Sequence, residues 1–418
     1  MRLLEPLRIR DFALLWTGMT VSIIGDGIYL VAIPFQVLQL SNDATALSIV
    51  GAAWTIPQVV FLLMGGVIAD RMDRRLVLVG ADLVRGAAIA AMGMLSLAGT
   101  LELWHIYVLA AVYGTGEAFF MPAFGAIVPD IVPENLLVEA NSLDQFVRPL
   151  AFRLAGPALG AGIIAVWGIG GALVADAATF AISAIAVIAI RTRLTVDPEA
   201  GGTSFVREVR QGFNYVKSQS WLWGGLTATA VGLLAFFGPW QVIVPYLVKN
   251  EMGGDAKDFA LVLAAGGVGS IIVSAIVGQR GMGRRPMFLV FVVWGIATLS
   301  MAGFAIADAP WQAMGVAFVM FSLLTAGQIV WATVQHQRVP RRLLGRVSSL
   351  DWLVSTSLVP LSFAITGPLT NSLGPDTALV VASVVGGVGM LAFLFMPGIH
   401  RAQQPIGRDK ERLAQAEI

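Results

Sequence analysis

Apolar runs of about 20 residues or more recur along almost the whole chain, and they constrain its fold more than any other feature. A helix of about 20 apolar residues crosses the hydrocarbon core of a bilayer, at about 1.5 Å per residue. Glycine and proline inside these runs are compatible with membrane helices, because neighbouring helices satisfy the freed backbone groups. The sequence therefore predicts an all-α membrane protein with twelve transmembrane helices, at 12–40, 46–69, 76–98, 103–128, 138–166, 168–190, 221–248, 258–279, 285–307, 310–336, 344–372 and 375–397.

The composition narrows the class of function. Only 13% of the 418 residues are charged, against about 25% in a soluble domain, and a net charge of +1 gives no reason to expect a nucleic-acid partner. There is no cysteine, which excludes disulfides and thiolate metal sites. The chain has no Gly-Lys dipeptide and therefore no P-loop, and its three histidines are far apart in sequence. We expect no enzyme activity, no cofactor and no metal site.

The distribution of basic residues predicts the orientation. Most of the 27 Lys and Arg residues lie in the N-terminus, in alternate loops and in the tail, whereas only Lys249 and Lys257 lie in loops of the opposite set. Loops rich in Lys and Arg face the cytosol. We therefore expect a multi-pass protein of the inner (plasma) membrane with both termini cytosolic. The first apolar run is too long for a signal-peptide core, so we expect it to remain as the first span.

One long loop, 191–220, divides the chain. Phe205, Val209, Phe213 and Val216 recur in it at helical spacing among basic residues, which predicts an amphipathic helix on the inner membrane surface. We expect an N-terminal six-helix bundle at 1–190, a cytosolic linker at 191–220, a C-terminal six-helix bundle at 221–398 and a cytosolic tail at 399–418.

The two halves repeat each other. Val-Pro followed by Leu-Leu and then Ser-Leu-Asp occurs at 132–144 and again, with the same spacing, at 339–351. Gly156-Pro157 recurs as Gly367-Pro368, and the Arg74-Arg75 pair recurs at 284–285. Repeats related by an axis normal to the membrane are typical of transporters that work by alternating access.

The whole chain resembles the major facilitator superfamily. The 66–75 hairpin is similar to the Gly-x-x-x-Asp-Arg-x-Gly-Arg-Arg motif between spans two and three, with Asp73 where the family usually has Gly. The run that contains Gly156, Pro157 and Gly160 is similar to the antiporter motif of span five, although Phe152 replaces its usual first Gly. Further segments resemble the efflux branch that contains macrolide exporters and the enterobactin exporter: Asp11-Phe12 with Trp16, 22–26, 81–85, 139–141 and 345–347.

The resemblance implies a cytosolic gate. An Asp at the position of Asp70 holds the first half against the start of span eleven, here near Ser348–Asp351, when the cytosolic side is closed. The simpler alternatives are a hairpin that only fixes topology and an Asp82–Arg85 pair that only supports packing. We assign to this gate Gly66, Asp70, Arg71, Arg74, Arg75, Asp82, Arg85 and Asp351.

Four ionisable residues within the spans are candidates for proton coupling, because charges inside a membrane are costly and usually functional. Depths counted along the helices predict Asp26 near Arg153 and Glu117 near Arg148, with the pairs exchangeable. The alternatives are fixed ion pairs that lock helix packing, and a local Asp144–Arg148 pair. Asp176 could serve transport or only a helix-to-helix hydrogen bond.

Two further features of the spans bear on coupling and on substrate contact. Many drug–proton antiporters carry an Arg where this chain has Ala110. If that Arg takes part in proton coupling, this chain must couple differently or less tightly. The second half offers aromatic and amide side chains, which suit amphipathic ligands unless they face lipid or form an interfacial belt, as we expect for Trp221 and Trp223. As substrate-cavity residues we propose Phe236, Phe237, Trp240, Gln241, Gln328, Trp331 and Gln335.

These features predict a secondary active transporter that exports small amphipathic compounds, such as a drug, a siderophore or another secondary metabolite, by proton antiport. The partners that we expect are therefore the substrate, protons and the lipid bilayer, and the resemblance implies a monomer. The alternatives are an importer or facilitator of a small metabolite and a membrane sensor or scaffold.

Overall fold

The computed structural model describes residues 2–192, 205–280 and 285–396. The tail at 399–418, most of the 191–204 segment and Arg284 lie outside the described residues, as do the side chains of Asp70, Phe205 and Val209. The described chain is nearly all helical. Its α-helices are α1 (Arg10–Leu40), α2 (Ala44–Arg71), α3 (Arg74–Leu97), α4 (Leu103–Ile131), α5 (Leu137–Leu150), α6 (Gly156–Ile188), α7 (Phe205–Ser218), α8 (Ser220–Gly238), α9 (Val244–Asn250), α10 (Ala256–Arg280), α11 (Pro286–Ser300), α12 (Pro310–Arg338), α13 (Arg341–Ser357), α14 (Val359–Leu373) and α15 (Pro375–Ala392).

Short 3-10 and π segments complete the described helices. The 3-10 turns are Arg2–Arg8, Glu134–Leu136, Met301–Ile306 and Phe393–Phe395. Two π-helical segments, Ala151–Ala155 and Pro239–Ile243, join α5 to α6 and α8 to α9. Several predicted spans are therefore composite.

Eleven helical stretches of the described chain are long and apolar enough to cross a membrane, and one of them accounts for two spans. The stretch Glu139–Ile188 is 50 residues long. Gly168 interrupts it with a φ of 71°, a left-handed conformation that favours glycine. Gly27 of α1 packs against Gly156, whereas Gly18 packs against residues 183 and 186. The chain thus reverses at Gly168, and the twelve-helix fold predicted from the sequence is confirmed.

The helices form two groups. Helices α1 to α6 pack mainly on one another, as do α8 to α15, and the main contacts between the groups join α2 to α14 and α6 to α10. We call these the first and second groups. The exact domain boundaries given above stay a prediction.

The two groups are held together at the end of the molecule that lies away from the Arg-rich hairpins. Here the largest apolar cluster runs across both groups, with Phe35 of α1 against Phe259 of α10 at a ring distance of 5.9 Å. Nζ of Lys249 donates to the carbonyl oxygen of Leu38 at 2.6 Å and to Oδ1 of Asn42 at 3.0 Å. We call this the closed end and the Arg-rich end the basic end.

At the basic end, the apolar cluster of each group is separate from that of the other. Two of the polar contacts described at this end lie within the first group, where Arg10 and Arg75 donate to the carbonyl oxygens of Ala189 and Ile190. A third joins the second group to the linker helix, where Arg346 donates to Gln211 of α7. The structure therefore closes the end that lies opposite the predicted cytosolic gate.

The 66–75 hairpin shows why Asp73 can replace the usual glycine. Asp73 is the N-cap of α3, where its Oδ1 accepts from the backbone nitrogen of Arg75 at 2.9 Å. Its other oxygen pairs with the Arg75 guanidinium at 2.8 Å. The hydrogen bonds from Arg75 lower the pKa of the Asp73 carboxyl below its ordinary value. Arg74 forms an ion pair with Asp130 of α4.

The bonds described for the other gate residues also stay within one group. Asp82 and Arg85 form an ion pair of 2.5 Å inside the first group, with side chains 0% and 3% exposed. Asp351 accepts hydrogen bonds from Trp331 and Gln335 of α12, in the second group. The sequence suggested that Asp82 and Arg85 join a gate network with Arg74. In this structure they instead form a pair in the interior of the first group. The latch formed by Asp70 stays a prediction.

Candidate functional site

A close crossing of α1 and α6 positions the first candidate carboxylate. A Cβ atom on Gly156 would lie 2.5 Å from the carbonyl oxygen of Ile24 and 2.6 Å from Cα of Gly27, so only glycine fits between these backbones. Gly160 continues the contact, because its Cβ would lie 3.2 Å from Cα of Ile28. The segment that resembles the antiporter motif thus packs directly on the turn of α1 that carries Asp26.

The partner of Asp26 is a tyrosine and not an arginine. The Tyr113 hydroxyl of α4 donates to Oδ1 of Asp26 at 2.7 Å. The Tyr113 ring stacks on Tyr29 with 5.1 Å between ring centroids, and its other side meets the edge of Phe180 at 6.1 Å. The carboxylate is thus held by a neutral hydroxyl, and Asp26 has no ion pair within 4.0 Å among the described residues.

Glu117 lies one helical turn beyond Tyr113, on the same face of α4. Its Oε2 accepts a hydrogen bond of 2.7 Å from the indole nitrogen of Trp54 in α2. The Trp54 ring also meets the edge of Tyr113 at 6.3 Å. Gly114 leaves room for this arrangement, because a side chain there would collide with the Trp54 backbone. The two carboxylates are thus presented together by one face of α4 and its neighbours.

Both carboxylates line a cavity of about 140 Å³ between the two groups of helices. Aromatic rings and aliphatic side chains form most of its wall, and the second group contributes only Gln241 and Phe363 to it. The lining residues are Asp26, Tyr29, Leu30, Ile33, Pro34, Leu47, Val50, Gly51, Trp54, Tyr113, Glu117, Phe152, Gln241 and Phe363.

The ion pairs predicted for the two arginines are wrong in this structure. Arg148 pairs with Asp144, four residues earlier on α5, at 3.4 Å, which is the local alternative considered above. Arg153 instead points into the second group, where its Nη1 lies 3.5 Å from Oγ of Ser270 and its guanidinium lies 4.6 Å from the centre of the Phe321 ring. Depth along a helix does not specify the direction in which a side chain points.

A π-helical turn explains where Arg153 points. Residues Ala151–Ala155 form this turn, in which the nitrogen of Gly156 donates to the carbonyl oxygen of Ala151. Pro157 has no backbone hydrogen to offer Arg153 in a regular helix, so the break is built into the sequence. Such turns are common at functional sites, and this one presents Phe152 to the cavity while Arg153 contacts the second group.

The aromatic residues predicted for the substrate cavity are mostly core residues. Phe236 and Trp240 are buried among other rings of the second group, and Trp331 and Gln335 are occupied with Asp351. Phe237 only packs against the cavity residue Phe363, at 6.0 Å, and Gln328 is exposed. Of the seven predicted residues, Gln241 alone lines this cavity. Trp221 is likewise buried, whereas Trp223 is exposed as a belt residue would be.

Two further charged groups lie behind the cavity. The Arg85 guanidinium lies between Phe120 and Phe180, at 4.1 and 4.6 Å from their ring centres. Asp176 is fully buried beside Gly25, and the Thr179 hydroxyl lies 3.5 Å from its Oδ1. Among the described residues, no cluster of His, Asp or Glu could hold a metal ion.

Sequence reasoning missed five aromatic residues of the cavity: Tyr29, Trp54, Tyr113, Phe152 and Phe363. For two of them a signal was present. Tyr29 follows Asp26 by three residues and Tyr113 precedes Glu117 by four, which puts each tyrosine on the helical face of an intramembrane acid. Trp54, Phe152 and Phe363 carry no such signal and depend on how the helices cross.

Comparisons with known proteins agree with this architecture. The chain is 27% identical over 395 residues to a multidrug efflux pump, Tap, of Mycolicibacterium fortuitum, an alignment that covers 91% of this chain and 92% of that protein. It is 23% identical over 372 residues to macrolide efflux protein A of Streptococcus pyogenes, with 87% and 90% covered.

Among solved structures, a bacterial homologue of the iron transporter ferroportin in its inward-facing state matches the fold. Its TM-score is 0.69 at 16% identity, with 93% of this chain and 98% of that chain covered. The nucleoside transporter NupG gives a TM-score of 0.68 at 13% identity, with 95% and 99% covered. Residues 2–409 match the family described as transmembrane secretion effector. The chain therefore belongs to this family of transporters, within the major facilitator superfamily.

Proposed function

We propose that this protein exports small amphipathic compounds across the plasma membrane in exchange for protons. The observation that carries the proposal is the pair of intramembrane carboxylates, Asp26 and Glu117, on the wall of a cavity between the two groups of helices. A neutral donor, Tyr113 or Trp54, holds each one. A carboxylate held in this way can gain and lose a proton without breaking an ion pair.

The orientation follows from the positive-inside rule. If the basic end faces the cytosol, the closed end with Lys249 faces outward, and this structure is closed on its outer side. A compound would then enter the cavity from the cytosol. Opening of the closed end would expose the same carboxylates to the outside, where they would take up protons as the substrate leaves.

Export is favoured over import by two observations. The relatives that align over most of their length are named as macrolide and multidrug efflux proteins. The Gly156-Pro157 segment, which resembles an antiporter motif, also forms the tight crossing beside Asp26. Since the π turn and Asp26 both lie at this crossing, a movement of α6 would shift the backbone that carries Asp26.

Everted membrane vesicles test the direction and the coupling together. With an imposed proton gradient, vesicles that contain the protein should accumulate a fluorescent dye or a macrolide, and the Asp26→Asn and Glu117→Gln variants should not. Asp308→Asn, at an exposed loop position, is the matched control and should transport normally. Accumulation by whole cells instead of vesicles would indicate import, and full gradient-driven transport by both cavity variants would place the coupling elsewhere.

A further inference from the structure

The polar atoms of the cavity form an unbalanced set. Tyr113 donates to Oδ1 of Asp26 and Trp54 donates to Oε2 of Glu117, so both of these donors are already used. The second oxygen of each carboxylate has no hydrogen-bond partner among the described residues. The cavity lining includes no Lys, Arg or His. Gln241 adds one amide, which can donate as well as accept. What the wall still offers to a ligand is therefore mainly hydrogen-bond acceptors, which carry negative charge whenever a carboxylate is ionised.

Tyr29 adds an independent sign that the site is incomplete. Its side chain is 7% exposed, it lines the cavity, and its buried hydroxyl has no hydrogen-bond partner in the described part of the chain. A buried hydroxyl without a partner is destabilising, so such groups in native proteins call for an explanation. The Tyr29 oxygen belongs to the same wall as the two carboxylates, because its ring stacks on Tyr113.

The remaining wall suits a cation. The cavity wall that carries the acceptors also carries the rings of Tyr29, Trp54, Tyr113, Phe152 and Phe363. A cation over the face of such a ring is attracted to it, most strongly when water is excluded. An anion would meet two carboxylates and no positive side chain in the lining. Of the substrate classes left open by the sequence, an anionic siderophore is therefore the poorest match.

The cavity volume limits the part of the ligand that it can hold. At about 140 Å³ it has room for four or five waters at about 30 Å³ each, or for an ammonium group with a few carbons. Drug-sized ligands occupy sites of about 300–1,000 Å³. In this structure the cavity is thus the size of a head group.

We propose that this cavity binds the protonated amine of a monocationic amphiphile, with its N–H groups donated to Asp26, Glu117 and Tyr29. This inference rests on the proposed function, since it names the substrate class of the same site. It also gives a physical reason for exchange, because the ammonium group and protons compete for the same carboxylate oxygens. Binding of the amine releases any proton that these carboxylates carry.

The test compares probes that share one fluorophore and differ only in the head group. Dansylcadaverine carries a primary ammonium, its N-acetyl derivative is neutral and its N-succinyl derivative is anionic. Binding to the purified full-length protein in detergent is followed by dansyl fluorescence at neutral pH. Since charge-assisted hydrogen bonds contribute about 1.5–3 kcal/mol, the amine should bind at least ~10-fold more tightly than the N-acetyl derivative. The anion should bind most weakly.

Variants assign the preference to the cavity. In Asp26→Asn or Glu117→Gln the ratio between amine and N-acetyl probe should fall several-fold, and Tyr29→Phe should lower it less, whereas Asp308→Asn should leave it unchanged. Gel filtration checks that each variant is folded. The comparison of probes on the unaltered protein needs no variant. Equal binding of amine and N-acetyl probe, no binding of the amine, or an unchanged ratio in both folded acid variants would overturn the proposal.

This assay also separates the inference from the function on which it rests. It uses no gradient and measures no transport. An amine preference without gradient-driven uptake in everted vesicles would contradict proton-coupled export and leave the ligand class standing. Gradient-driven export of neutral compounds, with no amine preference in detergent, would contradict the ligand class and leave proton-coupled export standing.

Discussion

The substitution Gly156→Ala tests whether the crossing of α1 and α6 positions the proton site. The new Cβ would lie 2.5 Å from the carbonyl oxygen of Ile24, whereas ordinary contact begins at 3.4 Å, so the helices must separate by roughly 0.9 Å. All three of the nearest atoms belong to the backbone of α1, and no flexible side chain can yield in their place. Overpacking of this kind costs about 1–3 kcal/mol.

The same displacement predicts a loss of function. If α1 moves by this amount away from α6 and Tyr113 stays in place, the hydrogen bond to Asp26 could lengthen from 2.7 Å to about 3.6 Å, which no longer counts as a hydrogen bond. Gly156→Ala should therefore lower both the thermal unfolding midpoint of the detergent-purified protein and gradient-driven transport in everted vesicles.

Gly162→Ala is the matched control. It lies on the same helix, and a Cβ there meets no atom within 4 Å. This change should be neutral or should stabilise the helix by up to about 1 kcal/mol, with transport unchanged. If Gly156→Ala matched Gly162→Ala in both assays, the idea that this crossing sets the geometry of Asp26 would be refuted.

Three further predictions follow from the described contacts. Lys249→Met should loosen the closed end, because it removes the hydrogen bond to Leu38, and cysteine pairs engineered across that end of this cysteine-free chain should cross-link more slowly. The exposed control Lys257→Met should not slow cross-linking, and equal rates in the two variants would contradict a closing role for Lys249. Arg85→Leu should destabilise the protein by about 3–5 kcal/mol, because it leaves the buried charge of Asp82 unpaired. Adding Asp82→Leu should restore most of the lost thermal stability, and no recovery would mean that the unpaired Asp82 did not cause the loss. Because the folded-state pKa of Asp73 is lowered, its stabilising effect is present above its ordinary pKa of about 4 and is lost as the pH falls through the folded value. Asp73→Asn should therefore weaken the fall of the melting temperature between about pH 5 and pH 3, and an unchanged fall would contradict this role.

The fold could be predicted from the sequence because the bilayer imposes a simple rule. Any span needs about 20 apolar residues, so the twelve spans were visible without knowledge of their packing. The turn at Gly168 follows from the same rule, because a 50-residue apolar helix cannot cross a membrane once. The breaks inside spans were not visible, since a π turn such as Ala151–Ala155 leaves the apolar pattern unchanged.

The candidate site was only partly predictable. Asp26 and Glu117 stood out because charge is rare within spans, and both line the cavity. Their partners could not be deduced, because hydropathy and depth do not specify the rotation of a helix about its axis. One turn of π-helix was enough to point Arg153 at Ser270 instead of at Asp26. Most of the aromatic residues proposed for the cavity from the second half lie in the core of this structure for a related reason, since a ring such as Trp331 suits a core as well as a cavity.

The most direct test of the account measures proton movement in proteoliposomes that contain the purified protein and a pH-sensitive dye. Addition of a transported dansyl amine should move protons in the direction opposite to the substrate, and the flux should disappear in the Asp26→Asn variant while gel filtration shows a folded protein. An undiminished, substrate-dependent proton flux in folded Asp26→Asn and in Glu117→Gln would contradict the assignment of coupling to these two carboxylates.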